Sequence, residues 1–162
     1  MESKEKVADV RELGEALDAV IARMADQRGI LLPLLHALQE QFGYIDAKAV
    51  PLIAEALNLS RAEVHGVLSF YHDFRAKPAG CHVVKLCRAE SCQARGGAAM
   101  EAAMADRLGV TMGDTRGDGR VTLEPVYCLG LCAIGPNALV DGRPVAKLDA
   151  AAVDRIVVEV TA

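Results

Sequence analysis

The chain has 162 residues, of which 52% are hydrophobic but only 4% aromatic, and its formal net charge at pH 7 is −4. This mildly acidic charge argues against a nucleic-acid-binding protein, because the partner would be a polyanion. The longest apolar run, Ile30 to Leu38, is too short to cross a bilayer and contains Pro33, so no direct membrane insertion is expected.

Residues 1–77 are predicted to form an all-helical domain. The first helix is indicated by an apolar stripe at three- and four-residue steps, formed by Val10, Leu13, Leu17, Val20, Ile21 and Met24. We expect this helix to end at Arg28-Gly29. A second helix is expected from about Pro33, which is tolerated at a first helical position, to Phe42, with Gly43 as a left-handed cap.

Two further short helices complete this domain. Asp46 can cap the third helix, whose start Pro51 should delay or kink. The capping box Ser60-Arg-Ala-Glu63 opens the fourth. A DNA-binding helix-turn-helix is the alternative for this pair, but nearby positive charge is limited to Arg61, Arg75 and Lys77. Such short helices bury little surface individually, so they need each other or a partner. Because positive charge is scarce, we expect the domain to dock on a partner subunit and not on DNA.

Residues 76–80 are predicted to be a linker to a second domain over residues 81–162. Strands are expected at 82–86, 120–127, 138–140 and 143–148, the last two joined by a hairpin turn at Asp141-Gly142. Helices are expected over 96–108 and after the cap Asp149, and Pro125 suggests an edge strand or a bulge. The order βαβ then ββα is that of a thioredoxin-like fold. The chain is therefore predicted to be α+β, a helical bundle followed by a thioredoxin-like βαβ-ββα domain.

Two short cysteine pairs organise the second domain. Cys87 and Cys92 are spaced C-x4-C, and Cys128 and Cys132 are spaced C-x3-C. If the first two strands form a right-handed βαβ unit, they are parallel and their carboxyl ends lie at the same edge of the sheet. The thiols are therefore predicted to meet at that edge, where open α/β sheets place ligands. From the residues alone, such a set suits an iron–sulfur cluster or zinc.

Other chemically interesting residues are assigned structural roles. Cys81, at the base of the first strand, is expected to be a buried or spare thiol. His65 and His72 can share a helix face, but no further metal ligands are evident, so packing or hydrogen bonding is favoured. The sequence leaves the isomer of Pro136 open, although thioredoxin-like folds carry a cis-proline in this region. No catalytic residue is assigned, because no general base, nucleophile or substrate pocket is recognisable.

A resemblance to the [2Fe–2S] thioredoxin-like ferredoxin family rests on three segments: Val64-His-Gly-Val-Leu-Ser-Phe-Tyr71, Leu86-Cys-Arg-Ala-Glu-Ser-Cys-Gln93 and Glu124-Pro-Val-Tyr-Cys-Leu-Gly-Leu-Cys-Ala-Ile-Gly-Pro136. It covers most of the chain. It implies one [2Fe–2S] cluster as cofactor, with Cys87 and Cys92 on one iron and Cys128 and Cys132 on the other.

The resemblance also implies an electron-transfer subunit of an NAD-linked oxidoreductase complex. The motif Cys-Leu-Gly-Leu-Cys-Ala-x-Gly-Pro is closer to the sequence of the gamma subunit of NAD-dependent formate dehydrogenase. The equivalent subunits of NADH:quinone oxidoreductase and of NAD-reducing hydrogenase are the alternatives. The implied partners are a flavin- and NADH-binding subunit and a large catalytic subunit, and FMN, NAD and the molybdenum cofactor are expected only on those partners.

Two other functions are alternatives to electron transfer. A zinc-stapled interaction module would use the same four thiols. A thiol oxidoreductase would require a C-x-x-C motif, which is absent. Five cysteines are too few for a disulfide scaffold of this length, and the first residues lack an apolar secretion segment, so a cytoplasmic location is expected.

Overall fold

The computed structural model describes residues 10–24 and 29–162, and the chain divides into two units, Met1–Pro78 and Ala79–Ala162. The helical unit contains α1 (Val10–Arg23), α2 (Leu31–Phe42), α3 (Ala49–Ala56) and α4 (Arg61–Phe70). Helix α1 ends at Arg23, and the predicted stop at Arg28-Gly29 lies partly outside the described residues. None of the helices in the described part of the chain has the length and apolar character of a membrane span.

Two prolines shape the starts of α2 and α3. Helix α2 begins at Leu31, earlier than predicted, because Pro33 occupies its third position, where a backbone N–H would have no acceptor within the helix. Pro51 occupies the same position of α3, so it delays the start of that helix without breaking it. Asp46 lies before this start and its Oδ1 accepts a hydrogen bond of 2.9 Å from the N–H of Lys48.

The predicted caps of the helical unit are confirmed. Gly43 ends α2 in the left-handed conformation, with φ of 82°, and its N–H donates to the carbonyl of Gln39 at 2.7 Å. At the start of α4, the N–H of Glu63 donates to Ser60 Oγ at 3.1 Å, and the N–H of Ser60 donates to Glu63 Oε2 at 2.8 Å. Both ends are therefore specified by local sequence.

Aliphatic side chains from all four helices fill the core of this unit, with Leu13, Leu17, Val20, Leu34, Leu35, Leu38, Ile53 and Val64 among the buried ones. Helix α4 contributes Val64 alone to the fully buried set. By contrast, Phe70 at its end is 72% exposed and the following Tyr71 is 43% exposed. The unit therefore leaves much of the apolar surface of α4 uncovered.

The second unit contains four strands and three helices: β1 (His82–Cys87), α5 (Glu90–Ala94), α6 (Gly97–Leu108), β2 (Val121–Val126), β3 (Ala138–Val140), β4 (Arg143–Val145) and α7 (Ala150–Thr161). The strand order is β2-β1-β3-β4, with β1 and β2 parallel and the other pairs antiparallel. The predicted α+β fold, with a helical N-terminal part and a thioredoxin-like βαβ-ββα part, is confirmed. Pro125 lies in β2, which is an edge strand as predicted.

The core of the second unit lies between the sheet and the helices α6 and α7. Alternate residues of the central strand, Val84 and Leu86, are buried in it, together with Met104, Leu108, Val121, Leu123, Val153 and Ile156. Asp149 caps α7 as predicted, since its Oδ1 accepts the N–H of Ala152 at 2.7 Å. This packing holds the central strand and its carboxyl end in a fixed position.

The structure differs from the sequence prediction at two connections. The short helix α5 and a 3-10 turn, Cys132–Ile134, were not predicted. Strand β4 ends at Val145 instead of 148, because the N–H groups of Lys147 and Leu148 donate to the carbonyls of Ile134 and Pro136 at 2.9 Å. These residues therefore bind the cysteine-bearing loop and do not extend the sheet.

The predicted Asp141-Gly142 turn is confirmed, since both residues have positive φ, 50° and 80°. The Asp141 carboxylate also accepts the N–H of Val83 at 2.8 Å and lies 2.7 Å from Nδ1 of His82. Burial opposes its ionisation, but the hydrogen bonds from His82 and Val83 hold the pKa of Asp141 below its usual range. The ionised form therefore stabilises the folded state.

Asp141→Asn tests this contribution, because asparagine tolerates the positive φ but carries no charge. We expect a loss of no more than about 1 kcal/mol in the free energy of unfolding at pH 7, since the pair is partly exposed. The stabilisation is present above the unfolded-state pKa of about 3.9 and disappears as the pH falls through the lower folded-state value. Urea titrations at several pH values check this, with Asp18→Asn on the exposed side of α1 as control. A deficit that is independent of pH would contradict it.

Candidate metal centre

Both cysteine-bearing loops leave the sheet at the same edge. Cys87 is the last residue of β1, it is paired with Val126 at the end of β2, and Cys128 follows shortly after. The N–H of Arg88 donates to the carbonyl of Val126 at 2.8 Å, so the two chain segments are still joined where they leave the sheet. The predicted parallel arrangement therefore brings the beginnings of the two loops together.

The second thiol pair lies on an exposed loop. The Sγ atoms of Cys128 and Cys132 are 3.7 Å apart, and the N–H of Gly130 between them points at Cys128 Sγ at 3.4 Å. Cys128 has φ of 84°, a conformation that costs a non-glycine residue about 1–2 kcal/mol. Backbone strain of this kind is concentrated at functional sites, so the Cys128 thiol is a candidate functional group.

The first thiol pair is buried. Cys87 is 5% exposed, and Cys92, on the short helix α5, is 1% exposed. Burial opposes ionisation of Cys87, but the N–H groups of Ala89, Cys128 and Leu129, together with the Cys92 thiol, donate to its sulfur and hold its pKa below the usual value. Two of these donors belong to the second loop. The second loop thus reaches the Cys87 sulfur.

The four thiols influence one another electrostatically. Burial raises the pKa of Cys92, and the hydrogen bond and negative charge of Cys87 raise it further. The pKa of Cys132 is raised by its hydrogen bond with Cys128 and by the charges of Cys128 and Cys87. Simultaneous ionisation of all four is therefore opposed unless cations neutralise them. Thiolates of this kind are the ligands that iron–sulfur clusters and zinc require.

Glycines allow the backbone to approach Cys92 closely. A Cβ atom on Gly97, the first residue of α6, would lie 2.7 Å from the carbonyl oxygen of Cys92. A Cβ on Gly135 would lie 3.2 Å from Cys92 Sγ. The peptide bond that follows, Gly135–Pro136, is cis, which settles the isomer that the sequence left open. A larger residue at Gly97 would therefore displace the backbone of Cys92, whereas one at Gly135 would require a small shift of the Cys92 side chain.

Asn137 is a site residue that the sequence analysis missed. It is 2% exposed, and its Nδ2 lies 3.7 Å from Cys92 Sγ and 2.8 Å from the carbonyl of Leu131, while its own carbonyl accepts the N–H of Cys87 at 3.0 Å. Its Oδ1 is buried without a hydrogen-bond partner, which ordinarily costs about 1–3 kcal/mol. The sequence offered one signal of this role, since Asn137 is a polar residue in an uncharged stretch directly before β3.

Three residues considered in the sequence analysis lie away from the thiols. Cys81 precedes β1, at the opposite end of the strand from Cys87, and it is exposed. Of the two roles expected for it, the buried thiol is wrong and the spare thiol stays a prediction. His65 and His72 do not share a helix face, because α4 ends at Phe70 and His72 lies beyond it.

In the part of the chain that the structure describes, no three His, Cys, Asp or Glu side chains are arranged to hold a single metal ion.

Comparison with known proteins identifies relatives of this chain. The thioredoxin-like [2Fe–2S] ferredoxin family matches residues 17–161. The E subunit of NADH-quinone oxidoreductase from Escherichia coli (strain K12) is 34% identical over 127 residues, which cover 78% of this chain and 76% of that protein. The corresponding protein of Mycobacterium bovis is 36% identical over 122 residues, covering 75% of this chain and 48% of that protein.

A solved structure is also similar. The NAD+-reducing [NiFe]-hydrogenase in its air-oxidised state superposes with a TM-score of 0.69 at 27% identity over 81% of this chain, which spans only 22% of the hydrogenase chain. The family match begins within α1 and ends at the last residue of α7, so it includes both units. The chain as a whole therefore belongs to the thioredoxin-like [2Fe–2S] ferredoxin family.

Proposed function

We propose that Cys87, Cys92, Cys128 and Cys132 hold one [2Fe–2S] cluster and that the protein is an electron-transfer subunit of an NAD-linked oxidoreductase complex. The observation that supports this most directly is the parallel pairing of β1 and β2, with Cys87 opposite Val126, which makes both cysteine-bearing loops leave the sheet at the same edge. When bound, such a cluster supplies one-electron redox chemistry. The donor set fits, since four thiols lie on two loops that leave one sheet edge, and Gly97 and Gly135 let the backbone pack closely against Cys92.

The residues around the sulfurs favour negative charge on them. The N–H groups of Ala89, Leu129 and Gly130 donate to sulfur, and hydrogen bonds of this kind stabilise a more negative centre. Burial of the first pair acts in the opposite direction by excluding water. The balance between these two effects sets the reduction potential.

The decisive experiment is metal and spectroscopic analysis of the protein purified without oxygen. We expect a red-brown protein with about two irons per chain and a [2Fe–2S] electron paramagnetic resonance (EPR) signal after reduction. A colourless protein with stoichiometric zinc and no iron would support the zinc-stapled module instead. Substitution of single cysteines tests the four-cysteine ligand set separately.

The finer assignment concerns the complex. We propose that the complex is an NAD-dependent formate dehydrogenase, on the basis of the sequence Cys-Leu-Gly-Leu-Cys-Ala-Ile-Gly-Pro at 128–136. The similarity to the NADH-quinone oxidoreductase proteins and to the NAD+-reducing hydrogenase favours those complexes as the second candidate. In each case a flavin- and NADH-binding subunit and a large catalytic subunit are the proposed partners, and the proposed location is cytoplasmic. Co-purification of the partners, followed by assays with formate, quinone or hydrogen, distinguishes the candidates.

The helical domain, residues 1–77, is proposed to dock on the flavin subunit. Its fourth helix borders an apolar groove of about 580 Å³, lined by Leu31, Leu59, Glu63, Gly66, Val67, Phe70 and Tyr71. Apolar surface of this kind marks sites of protein–protein contact. Because α4 buries only Val64 within the unit, a partner has an aromatic and aliphatic surface to cover.

Phe70→Glu tests this docking. Placing a charge where a phenyl ring should be buried is expected to weaken capture of the flavin subunit by at least about tenfold, since burying such a ring contributes about 1.5–3 kcal/mol. Pull-down by the tagged flavin subunit measures the effect. Val10→Glu, at a 49% exposed position of α1, is the matched control. Equal capture of both variants would contradict the proposal.

Asn137→Leu is expected to lower the reduction potential. The substitution removes the side-chain N–H of Asn137 near Cys92 Sγ. Because that N–H stabilises the more negative, reduced form of the cluster, its loss makes reduction less favourable. One net hydrogen bond of about 1 kcal/mol corresponds to about 40 mV for a one-electron couple. A redox titration followed by EPR measures the shift. Thr122→Val, which alters the other buried polar residue of the chain's described part, should leave the potential unchanged. An unchanged potential in Asn137→Leu would contradict the role of this amide.

A further inference from the structure

We infer that Cys128 and Cys132 are also a modification site: in a chain that carries no metal, they form a reversible disulfide by exchange with a low-molecular-weight disulfide. The disulfide occupies the two sulfurs that the proposed function assigns to one iron, so it blocks iron loading until it is reduced. The sulfur chemistry stands on the geometry of the loop, and its consequence for iron loading rests on the proposed function.

The two sulfurs of this pair are close together and accessible. Cys128 and Cys132 are both exposed, and their Sγ atoms are 3.7 Å apart. A disulfide bond is about 2.0 Å long, so the two atoms must approach each other by about 1.7 Å. Rotation about the Cα–Cβ bonds of two exposed side chains supplies movements of this kind. The pair is therefore close to the geometry of a disulfide.

Hydrogen bonds hold the backbone around Cys132 in place. The carbonyl of Leu131 accepts Asn137 Nδ2 at 2.8 Å, and the carbonyl of Cys132 itself accepts Ser91 Oγ at 3.2 Å. These contacts keep the second sulfur beside Cys128, so its effective concentration there is high. Closure of a ring between the two cysteines is therefore favoured over reaction with a thiol of another molecule.

The first cysteine pair is protected from the same reaction. Cys87 is 5% exposed and Cys92 is 1% exposed. A Cβ atom on Gly135 would lie 3.2 Å from Cys92 Sγ, so the backbone already covers this sulfur. Thiol–disulfide exchange requires the attacking sulfur to reach the disulfide of the oxidant. The oxidant therefore reaches the second pair first, although the two buried thiols are hydrogen-bonded to each other.

The proposed modification consists of two thiol–disulfide exchanges, with glutathione disulfide as an oxidant of the required class. One exposed cysteine attacks the oxidant, breaks its sulfur–sulfur bond, forms a mixed disulfide and releases one glutathione. The other exposed cysteine attacks the mixed disulfide, forms the Cys128–Cys132 bond and releases the second glutathione. Two electrons pass from the cysteine sulfurs to the oxidant, and the two thiol protons end on the two glutathione molecules.

The exposure of the pair gives this modification a protective role. Accessible thiolates are oxidised to sulfinic and sulfonic acids, which thiols do not restore. An exposed disulfide is instead readily reduced, and in a reducing compartment such bonds are transient. The modification thus preserves two iron ligands in a chain that has yet to receive iron.

Tryptic mapping after treatment with glutathione disulfide tests the inference. The full chain is freed of metal with a chelator and a dithiol reductant, and the reductant is removed without oxygen. After the treatment, the remaining thiols are alkylated and the chain is digested. No Lys or Arg lies between positions 121 and 142, so Cys128 and Cys132 stay in one peptide, whereas Cys81, Cys87 and Cys92 lie in three others.

We expect the peptide with Cys128 and Cys132 to be two hydrogens lighter than its dithiol form and to resist alkylation, while the Cys87 and Cys92 peptides are alkylated. Iron loading of the oxidised chain should fall at least about tenfold and return after reduction with a dithiol. Alkylation of both exposed cysteines, or a disulfide that includes Cys87 or Cys92 in its place, overturns the inference. Undiminished iron loading of the disulfide form overturns its role as a block.

Two variants complete the test. Cys132→Ser removes the thiol that closes the ring, so Cys128 is expected to retain glutathione as a mixed disulfide, and its absence would contradict the two-step exchange. Cys81→Ser is the matched control, because Cys81 is exposed but lies at the other end of β1, and it should form the Cys128–Cys132 disulfide to the same extent. A reduced chain that binds no iron–sulfur cluster would instead refute the proposed function, and the tryptic peptides would still decide whether the disulfide forms.

Discussion

Cys128→Ser is expected to abolish or strongly destabilise cluster assembly, with iron falling from about two atoms per chain to a small fraction of that value. The serine hydroxyl keeps the size of the side chain but is a much harder ligand than the thiolate that iron in such clusters prefers. Iron analysis and the visible spectrum measure the effect. Cys81→Ser is the control, because Cys81 lies at the other end of β1, and its spectrum should be unchanged. Loss of the cluster in Cys81→Ser would overturn the proposed ligand set.

Cys128→Gly separates ligation from folding. The left-handed backbone at this position is strained for cysteine but relaxed for glycine, whereas glycine makes the unfolded chain more flexible. These effects oppose each other, so the stability of the iron-free chain is expected to change by no more than about 1 kcal/mol. The variant should nevertheless contain no cluster. A Cys128→Gly protein that retained the [2Fe–2S] spectrum would show that another group can replace this ligand.

Gly97→Ala is expected to lower both the stability of the second unit and its iron content. Its new methyl group would lie 2.7 Å from the carbonyl oxygen and 3.0 Å from the carbonyl carbon of Cys92. Because these are backbone atoms, α5 and α6 must separate, and overpacking of this kind costs about 1–3 kcal/mol. The shift moves Cys92 relative to the other three sulfurs. Denaturant titration of the iron-free chain and iron analysis measure the two effects.

Gly14→Ala is the matched control for this substitution. Gly14 lies within α1, and a Cβ atom there would meet nothing within 4 Å. Alanine favours helix over glycine by about 0.5–1 kcal/mol, so this variant should be slightly more stable and keep its cluster. Equal stability and iron content of Gly97→Ala and the unaltered protein would show that the α5–α6 contact adapts without cost.

Features with strong local signals were predictable from sequence. The caps at Gly43, Ser60 and Asp149 and the Asp141-Gly142 turn each depend on residues a few positions apart. The parallel pairing of β1 and β2 followed from the handedness of βαβ units. The family assignment rested on three sequence segments, two of which carry the cysteine pairs, and it is confirmed by the match over 17–161. The individual ligands and the formate dehydrogenase assignment stay proposals.

The details that were missed depend on contacts between distant segments. Helix α5, Glu90–Ala94, is too short to show a hydrophobic period. The end of β4 is set by hydrogen bonds from Lys147 and Leu148 to the loop before β3. Asn137 shows its role only when the fold brings it beside Cys92. Each needs the tertiary structure, which local propensity does not supply.

The mutual dependence of the two loops has a consequence for biosynthesis. The Cys87 sulfur receives N–H groups from Cys128 and Leu129, and the Cys87 N–H is bound by the carbonyl of Asn137. A nascent chain that has left the ribosome only as far as α6 therefore lacks half of the sulfurs and most of the donors around the first pair. With the proposed ligand set, iron can reach the finished arrangement only after translation has passed Asn137, so the cluster would be added late in biosynthesis.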